Sequence, residues 1–528
     1  MSPWLQRLWP DGRQGIFLGT LPLSLIFLLS SIFLFLFSLG YRSRIKSHNL
    51  PPSPFRLPVI GNLHQLVSTS HRDLHSLAQR HGALMLLHLG NSPTLVVSSA
   101  DTAREIMKTH DLIFSSRPKR SNSWRLLYNH KDVALAPYGE YWRQIRRICV
   151  LQLLSVKRVQ SFQPVREQET ALLIENIQRS CSSSPSSSAL VNLSDALVSL
   201  TTDVICRVSF GRKYSGGGEG SKKFKQMLKE LMYLLGVFNV GHFIPWLAWV
   251  DYISGLNARA EKCFREMDCF LEQVIEEHIH QGNKTGGGEE DLVDVLLAIA
   301  KDKTIGIPIE RDNIKAIMLD MFVAGADTTH TAMEWAMAEL LRHPEVMKEL
   351  QEEVRNTSSG KPYVTEEEVE KMQYLKLVIK ETLRLHPPVP LLVPRESTQD
   401  VKIEGYNIPA KTVVLINAWA IGRDPASWEE PEKFQPKRFL TSASNLNIDF
   451  KGNDFRLIPF GAGRRGCLGI QFAMVANELV LANLLHKFDW KLPGGSSGED
   501  LDMTEASGTT AHKKHPLVAV AIPHQCQI

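Results

Sequence analysis

Hydrophobic positions recur with a helical period along most of this chain, and strand-like patterns are few. The clearest exception is a pair of apolar runs, residues 83–89 and 93–98. They flank Gly90 and Asn91, and residues of this kind between two short apolar runs are typical of a β-hairpin. The pattern therefore predicts two antiparallel strands early in a chain that is otherwise mostly helical.

A second strand pair is predicted for residues 401–408 and 411–416, with the turn at Pro409-Ala410. The expected fold is mainly α, with a large helical domain and a small β-rich region. Serine- or glycine-rich stretches between the helical segments are expected to be surface loops: residues 180–188, 215–220 and 285–290.

The N-terminal region has a different pattern, because residues 16–39 contain no charged side chain and are dominated by Leu, Ile and Phe. As a helix they would extend about 36 Å, enough to cross a hydrocarbon core of about 30 Å. A basic stretch, residues 41–46, follows in place of a small-residue cleavage site. We predict a transmembrane signal anchor at 16–39 after a short segment, residues 1–15. A cleaved signal peptide is the alternative.

Four prolines between residues 51 and 58 favour a stiff, extended segment over a helix. We therefore interpret residues 40–62 as a basic flank and proline-rich hinge between the anchor and the remainder of the chain. Residues 63–528 are predicted to form one large domain.

Composition narrows the possible functions only slightly. The 528 residues carry a formal net charge of +4, which is too small to indicate nucleic-acid binding. The seven cysteines contain no C-x-x-C pair and no zinc-type spacing, which is typical of free thiols in a reducing compartment.

One cysteine stands in an unusual context, the run FGAGRRGCLG at residues 460–469. Gly466 and Gly469 allow backbone N–H groups to approach the sulfur of Cys467. The apolar run from Ile470 to Leu485 predicts a helix that begins at the cysteine, and its N-terminal dipole would favour a thiolate. The spacing of Phe, Gly, Arg, Cys and Gly resembles the heme-binding loop of cytochromes P450, in which the cysteine thiolate binds the iron. A buried core cysteine on a glycine-rich turn is the alternative.

A second motif, AGADTT at residues 324–329, lies within a long predicted helix from Glu310 to Arg342. Gly, Asp and Thr are poor residues for the middle of a buried helix, and such a conflict often marks a functional site. The motif is similar to the oxygen-activating helix of cytochromes P450. The resemblance implies that Thr328 and Asp327 handle protons for oxygen activation, and that the small residues 324–326 let the helix pass close to the heme.

Glu381 and Arg384 are spaced i, i+3, and Arg438 lies downstream in FQPKRF at residues 434–439. The resemblance implies that these three residues form a buried charge network that holds the cysteine loop. An exposed helix salt bridge is the alternative for Glu381 and Arg384. On both interpretations their role is structural.

Trp142 and Arg146 are spaced i, i+4, so both can donate to the same heme propionate. Arg395 and Arg465 are further candidates for the propionates. The full set of residues that the resemblance implies for binding heme b is Trp142, Arg146, Arg395, Phe460, Arg465 and Cys467, with Cys467 also the ligand of the metal.

These motifs occur in the family's order and extend over nearly the whole chain. Residues 136–143 (APYGEYWR) and 380–388 (KETLRLHPP) resemble the plant A-type cytochromes P450 around family 71. The resemblance implies a microsomal monooxygenase, anchored by one span in the endoplasmic reticulum membrane with its catalytic domain in the cytoplasm. It also implies that the enzyme hydroxylates, rearranges or desaturates a hydrophobic specialised metabolite of the terpenoid, coumarin or phenolic, or alkaloid type.

The sequence contains neither a phosphate-binding G-x-x-x-x-G-K-[ST] loop nor a G-x-G-x-x-G motif opening a helix. Electrons must therefore come from a partner protein. The resemblance implies NADPH-cytochrome P450 reductase, with cytochrome b5 as a further candidate.

Substrate selection is expected to depend on loops near the heme and on an apolar turn at residues 389–393. Each candidate could also be an ordinary packing residue. The candidates are Ser123, Ala324, Val389, Leu392, Val393 and Thr509, with Asn122 and Leu391 in the same segments.

The aromatic segment 236–249 could enter a membrane interface or belong to the core, and the sequence does not decide between them. Two functional alternatives also remain. One is an isomerase or dehydratase with a P450 fold, and the other is a membrane-anchored protein that binds heme or lipid without catalysis. The intact pair Asp327-Thr328 argues against both.

Overall fold

The computed structural model describes residues 25, 27–32, 49–66, 69–119, 121–185, 187–214, 219–281, 290–302, 308–358, 360–441, 448–506 and 508–524. Of the predicted anchor at 16–39, residues 25 and 27–32 are helical and exposed, and the remainder lies outside the described residues.

Helices make up most of the described chain. They are α1 (Ser70–His81), α2 (Ala100–Arg104), α3 (Ser121–Leu126), α4 (Glu140–Ile148), α5 (Val156–Ser161), α6 (Gln163–Ser182), α7 (Leu193–Phe210), α8 (Glu219–Gly236), α9 (Val240–Phe243), α10 (Ala248–Ile253), α11 (Leu256–Gln281), α12 (Leu292–Lys301), α13 (Arg311–Arg342), α14 (Pro344–Thr357), α15 (Glu366–Val369), α16 (Gln373–Leu385), α17 (Ala418–Ile421), α18 (Arg438–Thr441) and α19 (Ile470–Lys487).

The strands form three small sheets. They are β1 (Leu84–Leu89), β2 (Ser92–Val97), β3 (Ala189–Asn192), β4 (Arg395–Glu396), β5 (Val401–Ile403), β6 (Tyr406–Ile408), β7 (Val413–Ile416), β8 (Phe488–Lys491) and β9 (Val518–Pro523). The sheet orders are β1-β2-β7-β4, β3-β9-β8 and β5-β6.

The predicted hairpin at 83–98 is confirmed, with Leu89 opposite Ser92 and the turn at Gly90-Asn91. The predicted pairing of 401–408 with 411–416 is wrong. Instead β5 and β6 form a hairpin of their own, because Glu404 and Gly405 both adopt positive φ and turn the chain earlier. β7 pairs in parallel with β2, so the strand joins a different sheet.

Helix α13 runs through the centre of the helical domain and matches the prediction for 310–342. The N–H of Glu310 donates to the side chain of Asn313 at 2.8 Å, which gives one backbone donor at the start of the helix its hydrogen-bond partner. The helix ends before Pro344, as expected for a residue that cannot continue a helix interior. α13 packs against α7, α16 and α19, and its side chains are mostly buried there. It is therefore the element around which the large core is built.

The proline-rich segment does not stand apart from the body of the protein. Pro52 accepts a hydrogen bond from the N–H of Leu86 in β1 at 2.9 Å, and Asn49 accepts one from Asn407 at 2.6 Å. Residues 49–62 therefore run along the sheets rather than through solvent.

Within the described ranges, we find no single helix whose length and apolar character would let it cross a membrane. One bent pair of segments, 223–243 and 245–253 at 111°, passes on length and composition alone. Residues 236–249, which could enter a membrane interface or belong to the core, are only partly buried. Phe243 packs against the core, whereas Phe238, Trp246 and Trp249 are exposed.

Candidate active site

The cysteine loop is closed by its own backbone. The N–H of Cys467 donates to the carbonyl of Phe460, and the N–H of Gly466 donates to that of Gly463, both at 3.0 Å. Gly463 has φ +68°, and a Cβ atom there would lie 2.3 Å from the carbonyl oxygen of Met107. Only glycine fits this position, because both the backbone angle and the space exclude a side chain.

The Cys467 side chain is exposed, although the protein surrounds its position deeply. The N–H of Gly469 donates to Sγ at 3.3 Å, which is the predicted approach of a backbone donor to the sulfur. The predicted helix begins at Ile470, three residues after the cysteine. Burial raises the pKa of the thiol, and the Gly469 N–H and the Arg146 charge offset only part of this effect. A bound metal cation would supply the positive charge that ionises the thiol.

The predicted propionate residues converge on this loop and on the segment before α4. Arg146 donates to the carbonyl of Gly466 at 3.0 Å, and Arg395 donates to that of Ala462 at 2.8 Å. The Arg465 guanidinium lies 4.0 Å from the centre of the Trp142 ring. The indole N–H of Trp142 donates to the carbonyl of Val133 at 3.0 Å.

Sequence reasoning missed Arg117, which lies in the same cluster. It is buried, and one of its nitrogens donates to the carbonyls of Val393 at 2.6 Å and Pro394 at 2.8 Å. Burial, followed by the charges of Arg465 and Arg395, lowers its pKa well below the usual range. A single arginine outside any spaced motif carries no sequence signal, and only the fold reveals its neighbours.

This cluster has more positive than negative charge. Burial and the charges of Arg395 and Arg146 lower the pKa of Arg465 to about 9, because Asp132 and Asp111 offset them only in part. Buried like charges of this kind are expected where an anionic group binds. The donor set therefore fits heme b, with an exposed thiol for its iron and buried guanidiniums for its two carboxylates.

Two residues of the oxygen-helix motif, Ala324 and Thr328, share one face of α13. Ala324 is exposed although much of α13 is buried, and the Thr328 hydroxyl donates to the Ala324 carbonyl at 2.7 Å. Gly325 does not belong to this face. A Cβ atom at Gly325 would lie 2.7 Å from Cδ1 of Ile205, so this glycine allows α13 to pack closely on α7. Gly325 thus has a packing role that the sequence did not predict, and the approach of residues 324–326 to a heme stays a prediction.

Asp327 is held by the C-terminal loop. Its Oδ2 accepts a hydrogen bond from the Thr510 hydroxyl at 2.6 Å, and its Oδ1 lies 3.3 Å from Nε2 of His512. Burial alone would raise the pKa of Asp327, but the contacts with His512 and Thr510 outweigh it and lower the pKa. Sequence reasoning singled out neither partner for this role.

The predicted charge network is fully buried. Both carboxylate oxygens of Glu381 accept hydrogen bonds from Arg384 at 2.8 Å, and one accepts from Arg438 at 2.8 Å. The two arginines also donate to backbone carbonyls between residues 422 and 433. The network therefore fixes the segment that precedes the cysteine loop in the chain.

The substrate candidates are dispersed. Val389, Leu392 and Val393 are half-buried, and Leu392 lies 3.8 Å from the Cβ position of Gly461 in the cysteine loop. Thr509 instead contacts Gly236 at the end of α8. The side chains of Asn122 and Ser123 lie outside the described part of the chain.

Comparisons with known proteins agree with this geometry. A family model described as Cytochrome P450 matches residues 51–519. Cytochrome P450 736A117 of Prunus mume is 56% identical over 507 residues, covering 95% of this chain and 96% of that protein. Cytochrome P450 71A1 of Persea americana is 54% identical over 467 residues, covering 88% and 91%.

A 3-beta-hydroxylase of Tanacetum parthenium is 51% identical over 475 residues, covering 89% of this chain and 92% of that protein. Among solved structures, a zebra fish cytochrome P450 with Abiraterone superposes with a TM-score of 0.70 at 27% identity. It covers 86% of this chain and 100% of that one.

Proposed function

This chain belongs to the cytochrome P450 family of heme b monooxygenases, and from that premise we propose that it oxygenates a hydrophobic plant specialised metabolite. In such a reaction one atom of O2 enters the substrate and the other leaves as water, which consumes electrons and protons. The substrate classes that the resemblance favours are terpenoids, coumarins or phenolics, and alkaloid-like compounds. The oxygen-activating motif at 324–329 and the thiolate motif at 460–469 fall in the one proposed domain, residues 63–528, which is consistent with this activity.

The observation that carries the proposal is an exposed thiol in a loop surrounded by buried guanidiniums. We assign Cys467 as the ligand of the iron, and Trp142, Arg146, Arg395, Phe460 and Arg465 as residues that hold heme b. Each arginine has five N–H donors, so the bonds to backbone carbonyls leave donors for carboxylates. When bound, heme supplies the redox chemistry that activates O2.

The protein's own residues then have separate tasks. Thr328 and Asp327 are assigned to proton handling, because they lie on the α13 face that includes the exposed Ala324. Glu381, Arg384 and Arg438 fix the segment before the cysteine loop. Val389, Leu392 and Val393 offer apolar, half-buried contacts, which suits a hydrophobic substrate. Ser123, Ala324 and Thr509 remain candidates for substrate contacts.

The similarity to plant cytochromes P450 also supports proposals for the electron donor and the location. We propose NADPH-cytochrome P450 reductase as the partner, with cytochrome b5 as a second candidate. We also propose a single-pass anchor at residues 16–39 in the endoplasmic reticulum membrane, with the catalytic domain in the cytoplasm.

The first experiment is the absorption spectrum of the reduced, carbon monoxide-bound protein. Wild type should show a Soret band shifted far to the red, and Cys467→Ser should lose it. Cys269→Ser is the matched control, because Cys269 is also an exposed free cysteine but lies on α11. A heme-loaded wild type without this band, or a Cys269→Ser variant that loses it, would contradict the assignment of Cys467.

Turnover is then tested with reductase, NADPH and candidate substrates under labelled O2. Product should contain one labelled oxygen atom or a new double bond, and Thr328→Ala should lower the yield of product per NADPH. An isomerase would form product without NADPH, and a binding protein would form none.

A further inference from the structure

The side chains of α13 and the C-terminal loop form a polar cluster around Asp327. In this cluster His512 lies between two partners. Its Nε2 is 3.3 Å from Oδ1 of Asp327, and its Nδ1 is 2.8 Å from the hydroxyl of Thr331. The Thr331 hydroxyl donates its own hydrogen to the carbonyl of Asp327 at 2.7 Å. With its hydrogen on that carbonyl, the Thr331 hydroxyl accepts from Nδ1 of His512, which then carries a proton.

These hydrogen bonds favour one charge state of the His512 ring. With a proton on Nδ1, a neutral imidazole would direct the lone pair of Nε2 at the Asp327 carboxylate. A second proton on Nε2 converts that contact into a charge-assisted hydrogen bond. The hydrogen bonds therefore favour an imidazolium beside a carboxylate.

The other groups around His512 are compatible with this charge. Glu334 acts on it with a favourable negative charge. His330 stacks on His512 with ring centres 5.1 Å apart, but burial lowers the pKa of His330 to about 4, so that ring is neutral. Lys513 follows in the chain and lies over the Trp335 ring at 5.3 Å.

The side chains of His512 and Asp327 differ in their exposure to solvent. The His512 side chain is 32% exposed, whereas that of Asp327 is 15% exposed. His512 can therefore exchange protons with water more readily than the carboxylate it contacts.

We propose that His512 is a positioning residue that holds and supplies the proton used by Asp327. The inference rests on the proposed role of Asp327 in the monooxygenase reaction. Nε2 of His512 transfers its proton to Oδ1 of Asp327 and becomes neutral. Asp327 passes that proton to the reaction and returns to the carboxylate. A hydronium ion from solvent then restores the imidazolium, so the net change is one solvent proton consumed.

A pH dependence follows. Burial alone would lower the pKa of His512, but the hydrogen bond and charge of Asp327 outweigh it and raise the pKa above 6.5. His512 therefore carries its proton below this raised pKa and loses it as the pH increases through that value. The yield of product per NADPH should fall in the same range.

The experiment compares holoenzymes between about pH 6 and pH 9, where histidine titrates. In His512→Gln the amide can donate to Asp327 but cannot release a proton. We expect product per NADPH to fall several-fold near neutral pH and to lose the alkaline decline of wild type, while KM and the carbon monoxide spectrum stay unchanged.

His278→Gln is the matched control, because His278 also pairs with a buried aspartate, Asp291, at 2.8 Å. Its yield and pH profile should match those of wild type. A His512→Gln profile equal to that of wild type would overturn the proposal, as would an equal effect in His278→Gln.

A second measurement does not depend on turnover. The ring resonances of His512 are followed by NMR in wild type and in Asp327→Asn, and the pKa of His512 should fall in the variant. A wild-type pKa of His512 below that of an exposed histidine would also overturn the proposal, even if His512→Gln failed to fold. If Asp327→Asn leaves the yield per NADPH unchanged, the proposed role of Asp327 fails. If Asp327→Asn lowers it and His512→Gln does not, only the role of His512 fails.

Discussion

At the scale of single residues, Gly463 is under two separate constraints. Its φ of +68° disfavours any side chain, and a Cβ atom would contact the carbonyl of Met107 at 2.3 Å. Gly494 has the same φ of +68°, but no atom lies within 4 Å of its Cβ position. The two glycines therefore allow backbone strain to be separated from steric exclusion.

We expect Gly494→Ala to lower the free energy of unfolding by about 1 kcal/mol, which is the strain of the left-handed conformation. Gly463→Ala should cost more and should also diminish the red-shifted carbon monoxide band, because the loop carrying Cys467 must move. Denaturant unfolding and the spectrum measure the two effects. Equal losses in both variants would show that strain alone matters at Gly463.

The sequence was most informative where the chemistry is local. Cys467 and its neighbours could be predicted because the loop is one continuous motif. Arg117, Thr510 and His512 could not, since each acts through residues that are distant in the chain. Gly325 shows a third case, because a glycine in a functional motif has a packing role.

At the scale of elements, Asp320 ties α13 to the segment that accepts the Trp142 hydrogen bond. A single oxygen, Oδ2, accepts from the N–H groups of Val133 at 2.6 Å and Ala134 at 3.3 Å. Burial, together with the charge of Asp132, raises the pKa of Asp320 well above its usual range. This raised pKa favours the protonated form of the carboxyl, in which Oδ2 still accepts from the two N–H groups.

Asp320→Asn should accordingly change the free energy of unfolding by less than about 1 kcal/mol near neutral pH, because the amide reproduces a protonated carboxyl. Asp251→Asn provides the contrast. Asp251 uses one oxygen for Val240 and the other for Gly241, and an amide nitrogen cannot accept. This variant should lose about 1–3 kcal/mol. A comparable loss in Asp320→Asn would show that Asp320 is ionised.

The predicted strand pair at 401–416 failed for an element-scale reason. Pro409 and Ala410 suggested a turn, but the chain already turns at Glu404-Gly405, so β5 pairs with β6 and the following strand is left for another partner. β7 then pairs with β2, a partner that local patterning does not reveal.

At the scale of the whole molecule, exposed apolar side chains gather at one end. The carbonyl of Phe243 accepts from the N–H of Asn91 at 2.7 Å, and that of His88 accepts from Asn62 at 2.7 Å. The turn between β1 and β2 therefore lies between the proline-rich segment and α9–α10. The exposed side chains on these two segments are Phe55, Leu57, Trp246, Trp249, Tyr252 and Ile253, and Phe238 just before α9 is exposed as well.

We expect this end to contact lipid when the full-length chain is placed in nanodiscs, because tryptophan rings settle at membrane interfaces. Brominated lipids should quench less fluorescence in the double variant Trp246→Phe, Trp249→Phe than in wild type. Trp124→Phe, which removes an exposed tryptophan on α3, is the control. Equal quenching in all three proteins would place this surface away from the bilayer.

The sheet pairings also set an order of events during synthesis. β2 leaves the ribosome long before β7, and β9 is the shared partner of β3 and β8 although it lies near the C-terminus. Contacts between such distant segments form late and slowly. A nascent chain can build its early helices while it is translated. It cannot close the first sheet until β7 is made, nor the sheet of β3, β9 and β8 until translation is almost complete. A premature stop codon before residue 518 would therefore leave β3 and β8 with unpaired edges, which are prone to aggregation.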